Sequence, residues 1–352
     1  MGAAGNSGNM ALSVIIPTYN RADYVRECLR TLARSGVRDL EIIVVDDGST
    51  DDTAAIVAAT EPRAIYLQQR NQGPAAARNN GFRVSHGRYV CFLDCDDEWL
   101  PDAARPMVET LDRHPEIGVL FADAQMGNRQ SGFQSWIDVA GQQEFLRLSH
   151  RPVVGGVRIL DREPLLQRML VRNCVFLGAT ILRREIFERF GPFDPALCGA
   201  ADWNLWLRLA AQTTFAFHPQ PLAIYTQHRQ GMSNDTDGMS QEFCMALQKL
   251  NTQVVLQPDA RALRERQLRH HQFSYAYRAY DRGDYREARK RFRYLLETSG
   301  FEWRGFLYLV ACSLPFGMAG WLRSAKHLVA GRKPTPVVEL EPVAKAVLKE
   351  KR

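Results

Sequence analysis

The stretch EIIVVDDGSTDDT, Glu41–Thr53, runs a β-branched apolar strand straight into two aspartates, a glycine and a cluster of helix-capping residues. Ile42 to Val45 favour a pleated, buried strand. Gly48 permits the turn, and Ser49–Thr53 offers several N-caps for a following helix. Upstream, SVIIPTYNR, Ser13–Arg21, repeats the unit: Pro17 stops the strand, and Val25, Leu29 and Leu32, spaced by four and three, give the next helix one apolar stripe. Repeated strand–turn–helix units predict an α/β fold with a mostly parallel sheet flanked by helices. Ligands of such sheets gather beyond the carboxyl ends of the strands.

Two further segments fall on that rim. In YVCFLDCDDEWLP, Tyr89–Pro101, a buried strand ends abruptly in Asp94, Asp96 and Asp97, and Pro101 is expected to start a helix. Three carboxylates at one strand exit repel one another unless a divalent ion, hydrogen bonds or water offset the charge. Their hard oxygens suit Mg²⁺ or Mn²⁺ rather than zinc. An isolated Asp-X-Asp is more often a solvated turn with an Asp cap, so its neighbours decide. NQGPAAARNNGF, Asn71–Phe82, breaks at Gly73-Pro74 and enters an Ala-rich helix carrying Arg78. Facing the acidic rim, Arg78 would clamp a phosphate; otherwise it is a surface arginine on an ordinary helix.

These four segments, in this order, closely resemble the family 2 glycosyltransferases, which have the nucleotide-sugar-binding GT-A fold. The likeness is tight over roughly the first 100 residues and looser to about residue 235. It implies that Pro17, Thr18 and Tyr19 line the nucleoside pocket, that Asp46 or Asp47 contacts the base or ribose, and that Arg78 and Asp94 lie near the donor. Asp96, second acid of the family's Asp-X-Asp, would hold the cation bridging the donor's diphosphate, with Asp97 a further candidate. The chemistry requires such a set, because the departing nucleoside diphosphate gains negative charge that metal and cationic groups must oppose.

The resemblance resumes at TILRREIFERFGPFDPALCGAADWNLWLRLA, Thr180–Ala210. Ala201-Asp202-Trp203 falls where the family usually shows Glu-Asp and an aromatic residue, which makes Asp202 the general-base candidate and Ala201 a departure. A carboxylate accepts a proton best when partial burial raises its pKa, and Trp203 and Trp206 supply apolar surroundings. Asp202 also reads as an N-cap of the amphipathic WNLWLRLA helix. PLAIYTQHRQGMS, Pro221–Ser233, resembles the strand and loop closing the family's site, with His228 a candidate third metal ligand or diphosphate contact and Arg229 an alternative phosphate contact. A lone histidine is more often structural. Phe121–Arg172, by resemblance part of the acceptor site, does not name the acceptor.

A chain of 352 residues with 45% hydrophobic content accommodates one large α/β core plus an appendage. The expected organisation is a flexible start over 1–9, a GT-A domain over 10–238 with a nucleotide-sugar half at 10–120 and an acceptor half at 121–238, a helical region over 239–330 and a mobile tail over 331–352. Residues 1–9 lack the basic and apolar parts of a signal peptide, and seven cysteines without CxxC spacing predict a reducing, cytoplasmic setting. Cys91 and Cys95 flank Asp94, but Cys91 reads as a core strand residue, not half of a zinc pair.

The net charge of +6 resides in the C-terminal region, where residues 261–293 hold eleven Lys plus Arg against four Asp plus Glu. That stretch reads as two helices joined at Arg282-Gly283-Asp284, with Tyr285, Ala288, Phe292 and Leu295 on one face; it resembles a single tetratricopeptide-like hairpin. GFLYLVACSLPFGMAGWL, Gly305–Leu322, is apolar over a length near that of a short membrane span but holds Pro315 and three glycines. It fits a hairpin with Phe306, Leu309, Phe316 and Trp321 packed on the catalytic domain, or a peripheral anchor on an anionic membrane surface.

The resulting expectation is a cytoplasmic, metal-assisted, inverting glycosyltransferase using Mn²⁺ or Mg²⁺. It would take a nucleotide-sugar donor, a UDP-sugar above others, and a glycan or lipid-linked acceptor. A nucleotidyltransferase on a similar sheet would need a phosphate-gripping Gly-rich loop near the start, where PTYNR stands instead. A noncatalytic sugar-nucleotide-fold module would accord with Ala201 but not with Asp94, Asp96 and Asp202. The basic stretch has no accompanying recognition motif, so no nucleic-acid partner is expected.

Overall fold

The computed structural model describes residues 11–128, 132–139, 143–226 and 236–313. The chain divides into two compact units, Met1–Arg229 with Lys249–Arg261, and Gln230–Gln248 with Ala262–Arg352.

The first unit is α/β. It opens with β1 (Leu12–Thr18), α1 (Ala22–Leu32), β2 (Leu40–Asp46), α2 (Thr53–Thr60), β3 (Ile65–Gln68), α3 (Pro74–Val84), β4 (Tyr89–Phe92), β5 (Glu98–Trp99) and α4 (Ala104–Arg113). There follow β6 (Val119–Asn128), β7 (Gly132–Ser135), α5 (Trp136–Val139), β8 (His150–Pro152), β9 (Arg158–Leu160), α6 (Arg162–Val171), β10 (Thr180–Arg183), α7 (Arg184–Phe190), α8 (Ala201–Ala210) and β11 (Phe215–Tyr225). One sheet runs β3-β2-β1-β4-β10-β6-β11-β9-β8, with β5 on β11 and β7 on β6. Strands β3, β2, β1 and β4 are all mutually parallel, as are β6 and β11, whereas β10 is antiparallel to both β4 and β6. The parallel half directs the carboxyl ends of β1, β2 and β4 to one rim.

The α1 stripe buries Val25, Cys28, Leu29 and Leu32 against a core that includes Val14, Ile16, Val44 and Cys91. Helix α3 lies close on the sheet because Gly81 has no side chain: a Cβ there would sit 2.4 Å from Ile15 Cγ2 and 3.0 Å from Val45 Cγ2. One expectation fails. After the acid cluster the chain pairs Glu98–Trp99 with Ala223–Ile224 of β11, and the helix begins at Ala104 rather than Pro101. Trp99 is drawn inward, donating its indole N–H to Gly178 O at 2.8 Å, which delays the helix.

The second unit is helical: α9 (Thr236–Gln253), whose last turns belong to the first unit, α10 (Pro258–Asp281), α11 (Tyr285–Ser299) and α12 (Trp303–Ala311). Asp284 caps α11 by accepting from Glu287 N at 3.0 Å, and Gly283 takes the positive φ that reverses the chain. Ala276, Tyr280, Ala288, Phe292 and Leu295 form its core. No helix among the described residues is long and apolar enough to cross a membrane; Leu314–Leu322, with Phe316 and Trp321, lies outside them.

Candidate active site

The ends of β1 and β2 build one wall. Pro17 and Thr18 are buried, and Tyr19 just beyond is about half exposed. Buried Asp46 accepts from Ser49 N at 2.7 Å and from the Tyr66 hydroxyl. Asp47 accepts from the Gln69 amide at 2.7 Å and from backbone N–H of Gln72 (2.9 Å) and Gly73 (2.7 Å). Asp47 thus fixes the loop that launches α3, with Gly73 at φ 86° and Pro74 in the first turn.

The end of β4 builds the floor. One carboxylate oxygen each from Asp94, Asp96 and Asp97 come within 4.8 Å of one another. Arg78, 4% exposed, pairs with Asp94, and Arg21 pairs with Asp96. Asp97 is buried; burial, with repulsion from Asp94 and Asp96, pushes its carboxyl well above the usual range. Its Oδ1 accepts from Thr226 N at 3.4 Å. The Arg78 guanidinium rests over the Phe193 ring at 5.4 Å. Its buried Nε has no hydrogen-bond partner among the described residues.

Phe193 belongs to the GPFDP turn, which is clamped from both sides. Asn79 accepts from Phe193 N at 3.0 Å and donates to Phe193 O at 2.9 Å, tying α3 to the turn. Buried Arg208 of α8 donates to the carbonyls of Phe190 and Pro192, the latter at 2.5 Å, and to Asn204 Oδ1 at 3.1 Å.

Asp202 stands in the first turn of α8 but not at its cap, which is Ala200; the N-cap expectation is corrected. The helix starts two residues earlier than a cap at Asp202 would allow, with buried Ala201 in its first position. Asp202 Oδ1 accepts from Trp203 N at 2.7 Å and Oδ2 from the Asn173 amide at 3.2 Å. Burial raises its pKa to about 6, partly opposed by the Trp203 N–H and the Arg78 charge and reinforced by Asp94. Asp202 therefore shares one electrostatic environment with the β4 cluster, far from it in sequence.

The structure brings Asp94, Asp96, Asp97, Arg78 and Asp202 together, and sets Pro17, Thr18, Tyr19, Asp46 and Asp47 along the rim of the same sheet half. His228 and Arg229 lie outside the described residues. Four partners escape a sequence reading: Arg21, Phe193, Asn79 and Asn173. Arg21 and Phe193 sit inside recognisable motifs, whereas nothing in the local pattern marks Asn173.

A family model described as glycosyl transferase family 2 matches residues 13–190, half of the chain. An uncharacterised glycosyltransferase of Haemophilus influenzae is 26% identical over 229 residues, 64% of this chain and 71% of that protein. YibD of Escherichia coli, likewise described as an uncharacterised glycosyltransferase, is 38% identical over 134 residues, 37% and 38% of the two chains. Among solved structures, S. aureus TarS in complex with UDP-GlcNAc superposes with a TM-score of 0.59 at 18% identity, covering 86% of this chain and 84% of that one. The mannosyltransferase PcManGT of Pyrobaculum calidifontis, in complex with GDP-Man and Mn²⁺, gives 0.54 at 17% identity over 98% and 89%. With this fold, this rim of carboxylates and a family match across half its length, the chain belongs to glycosyl transferase family 2 and is a glycosyltransferase.

Proposed function

We propose that this glycosyltransferase moves a sugar from a nucleoside-diphosphate donor, a UDP-sugar being the expected one, to a hydroxyl of a glycan or lipid-linked acceptor, with inversion at the anomeric carbon. The observation that carries this reading is the pairing of Asp202, half-buried and with its pKa raised to about 6, with the Arg78–Asp94–Asp96 cluster. One group is tuned to accept a proton; the other is a charged platform for a diphosphate. Donors of this class occupy the TarS and PcManGT structures.

The acid cluster fits a hard divalent cation such as Mn²⁺ or Mg²⁺. Its ligand atoms lie within 4.8 Å of one another and all are oxygens; burial lifts Asp97 most, and the repulsion from Asp94 and Asp96 that adds to it is what a cation would relieve. Asp96 and Asp94 would hold it, with Asp97 and, from outside the described residues, His228 as further candidates. Bound there, the ion would neutralise the diphosphate.

Asp202 takes the acceptor hydroxyl proton as that oxygen forms its bond to the anomeric carbon. The bond from that carbon to the diphosphate oxygen breaks on the opposite face, and its electron pair leaves with the nucleotide. Arg78, held by Asp94 and Phe193 and with an unused Nε–H, opposes the charge on the leaving phosphates. Asn173 fixes the Asp202 carboxylate. Pro17, Thr18, Tyr19, Asp46 and Asp47 receive the nucleoside.

A screen of nucleotide sugars with Mn²⁺ or Mg²⁺, following thermal stabilisation and slow nucleotide release without acceptor, tests this reading. At least one donor is expected to stabilise the protein only with metal. Indifference to every nucleotide sugar in both metals would overturn it.

A further inference from the structure

Helix α12 is apolar on two sides. Its inner side buries Gly305, Ala311 and Cys312, with Tyr308 stacked on Phe292 at 5.4 Å. Its outer side exposes Trp303, Phe306, Leu307 and Val310, at spacings of three, one and three, which is a single helical stripe. Five of the eleven large apolar side chains exposed among the described residues lie between Phe301 and Val310. Scattered exposed apolar residues are ordinary, but such a concentration marks an interaction surface.

Exposed cations lie on α11, the helix packed against α12 through Phe292 and Tyr308, and at the start of α12 itself. On α11, Arg286, Arg289 and Arg293 are exposed at spacings of three and four, one face of the helix. Arg291, on another side of α11, is committed to Glu287 and Asp237. Arg289 lies near enough to Cys312, just past the end of α12, for its charge to act on that thiol. Arg304 stands at the start of α12 with its guanidinium over Phe273 at 4.7 Å. The sequence then continues as LPFGMAGWLRSAK, Leu314–Lys326, outside the described residues: apolar first, then Arg323 and Lys326.

We propose that the outer stripe of α12 and the basic face of α11 form a docking surface for an anionic lipid bilayer. Trp303 has the amphipathic bulk that suits the headgroup boundary, Phe306, Leu307 and Val310 insert below it, and the arginines meet acidic headgroups. A second copy of this chain is a poorer occupant. A self-complementary seam on this stripe would bring the arginine faces of two chains toward each other without counter-charge. The surface goes beyond the transfer reaction proposed above, and its test needs no turnover.

The experiment is co-sedimentation of the full chain with vesicles of phosphatidylcholine, with and without phosphatidylglycerol, over a salt series. Binding is expected only with phosphatidylglycerol and should weaken as salt rises. The combined variant Arg286→Gln, Arg289→Gln, Arg293→Gln should lower the partition coefficient about a hundredfold, from roughly fivefold per basic residue. Trp303→Ser with Leu307→Ser should lower it as well; all five side chains are exposed, so the fold should survive, as circular dichroism would verify. Emission assigned to Trp303, by difference from Trp303→Phe, should shift to the blue when acidic vesicles are added. The proposal is wrong if the full chain stays in the supernatant at low salt or the arginine variant binds as well as the parent. It also fails if Trp303 is already shielded from an aqueous quencher without vesicles, the result expected if Leu314–Leu322 or a second copy covers the stripe.

Discussion

Asp202 combines two properties that a lone carboxylate rarely has: burial that lifts its pKa to about 6, and an amide from Asn173 that aims it. Asp202→Asn is expected to lower transfer by about a hundred- to ten-thousandfold, the contribution of a general base, while donor affinity measured on the same preparation stays near that of the parent. In the parent, the rate should rise with pH through about 6, as the carboxylate becomes able to accept a proton. Stability should move the other way. The folded pKa lies above the unfolded value of about 4, so the contribution of Asp202 is fully present below about pH 4 and is lost as pH rises through about 6. Denaturant titrations of parent and Asp202→Asn across this window should show the difference between them moving in favour of Asn at the higher pH. At the β4 cluster, Asp96→Asn should weaken donor binding in Mn²⁺ and leave the metal-free affinity little changed, as donor titrations with and without metal would read. Metal-indifferent affinity and turnover in both proteins would remove Asp96 from a cation site.

At the scale of elements, α8 and the GPFDP turn work as a clamp on α3. Arg208 satisfies the carbonyls of Phe190 and Pro192, and Asn79 pairs twice with Phe193, whose ring supports Arg78. Replacing Arg208 by Met removes the donors and strands buried carbonyls, a loss of about 2–4 kcal/mol; urea denaturation should show it as a lower midpoint with little change in slope. Arg208→Lys should rescue only part of this, because an ammonium cannot span both carbonyls with the fork of a guanidinium. Gly81→Val tests the opposite face of α3. Its Cβ alone would overlap Ile15, and overpacking of this kind costs about 1–3 kcal/mol. Both variants should also weaken donor binding, since each displaces the helix carrying Arg78.

For the whole molecule, two compact units mean that unfolding need not follow one transition. A donor that binds the β1–β2–β4 rim should raise only the transition of the first unit, by about 2.7 kcal/mol at a concentration a hundredfold above its Kd. Calorimetry with nucleotide sugar and Mn²⁺ would separate the two. A uniform rise of every transition would mean that the helical unit unfolds with the α/β unit or shares in binding.

What the sequence alone determined is what local chemistry dictates. The β-branched runs ending in Pro17, Asp46 and Asp94, the apolar stripe of α1, the Gly73-Pro74 start of α3 and the Arg282-Gly283-Asp284 break between α10 and α11 all follow from steric and capping preferences within a few residues. So does the gathering of three polar clusters at one rim, since parallel strands share a direction. The entry to β5 did not follow, because Trp99 is drawn inward by Gly178, 79 residues away. The site's electrostatics were equally hidden. Arg21 on Asp96, Phe193 beneath Arg78 and Asn173 on Asp202 are contacts between residues 75, 115 and 29 positions apart. Asp202 owes its raised pKa to burial among elements that meet only in the folded chain. Charge and hydrogen bonding act through space, and only the tertiary structure decides which groups share it.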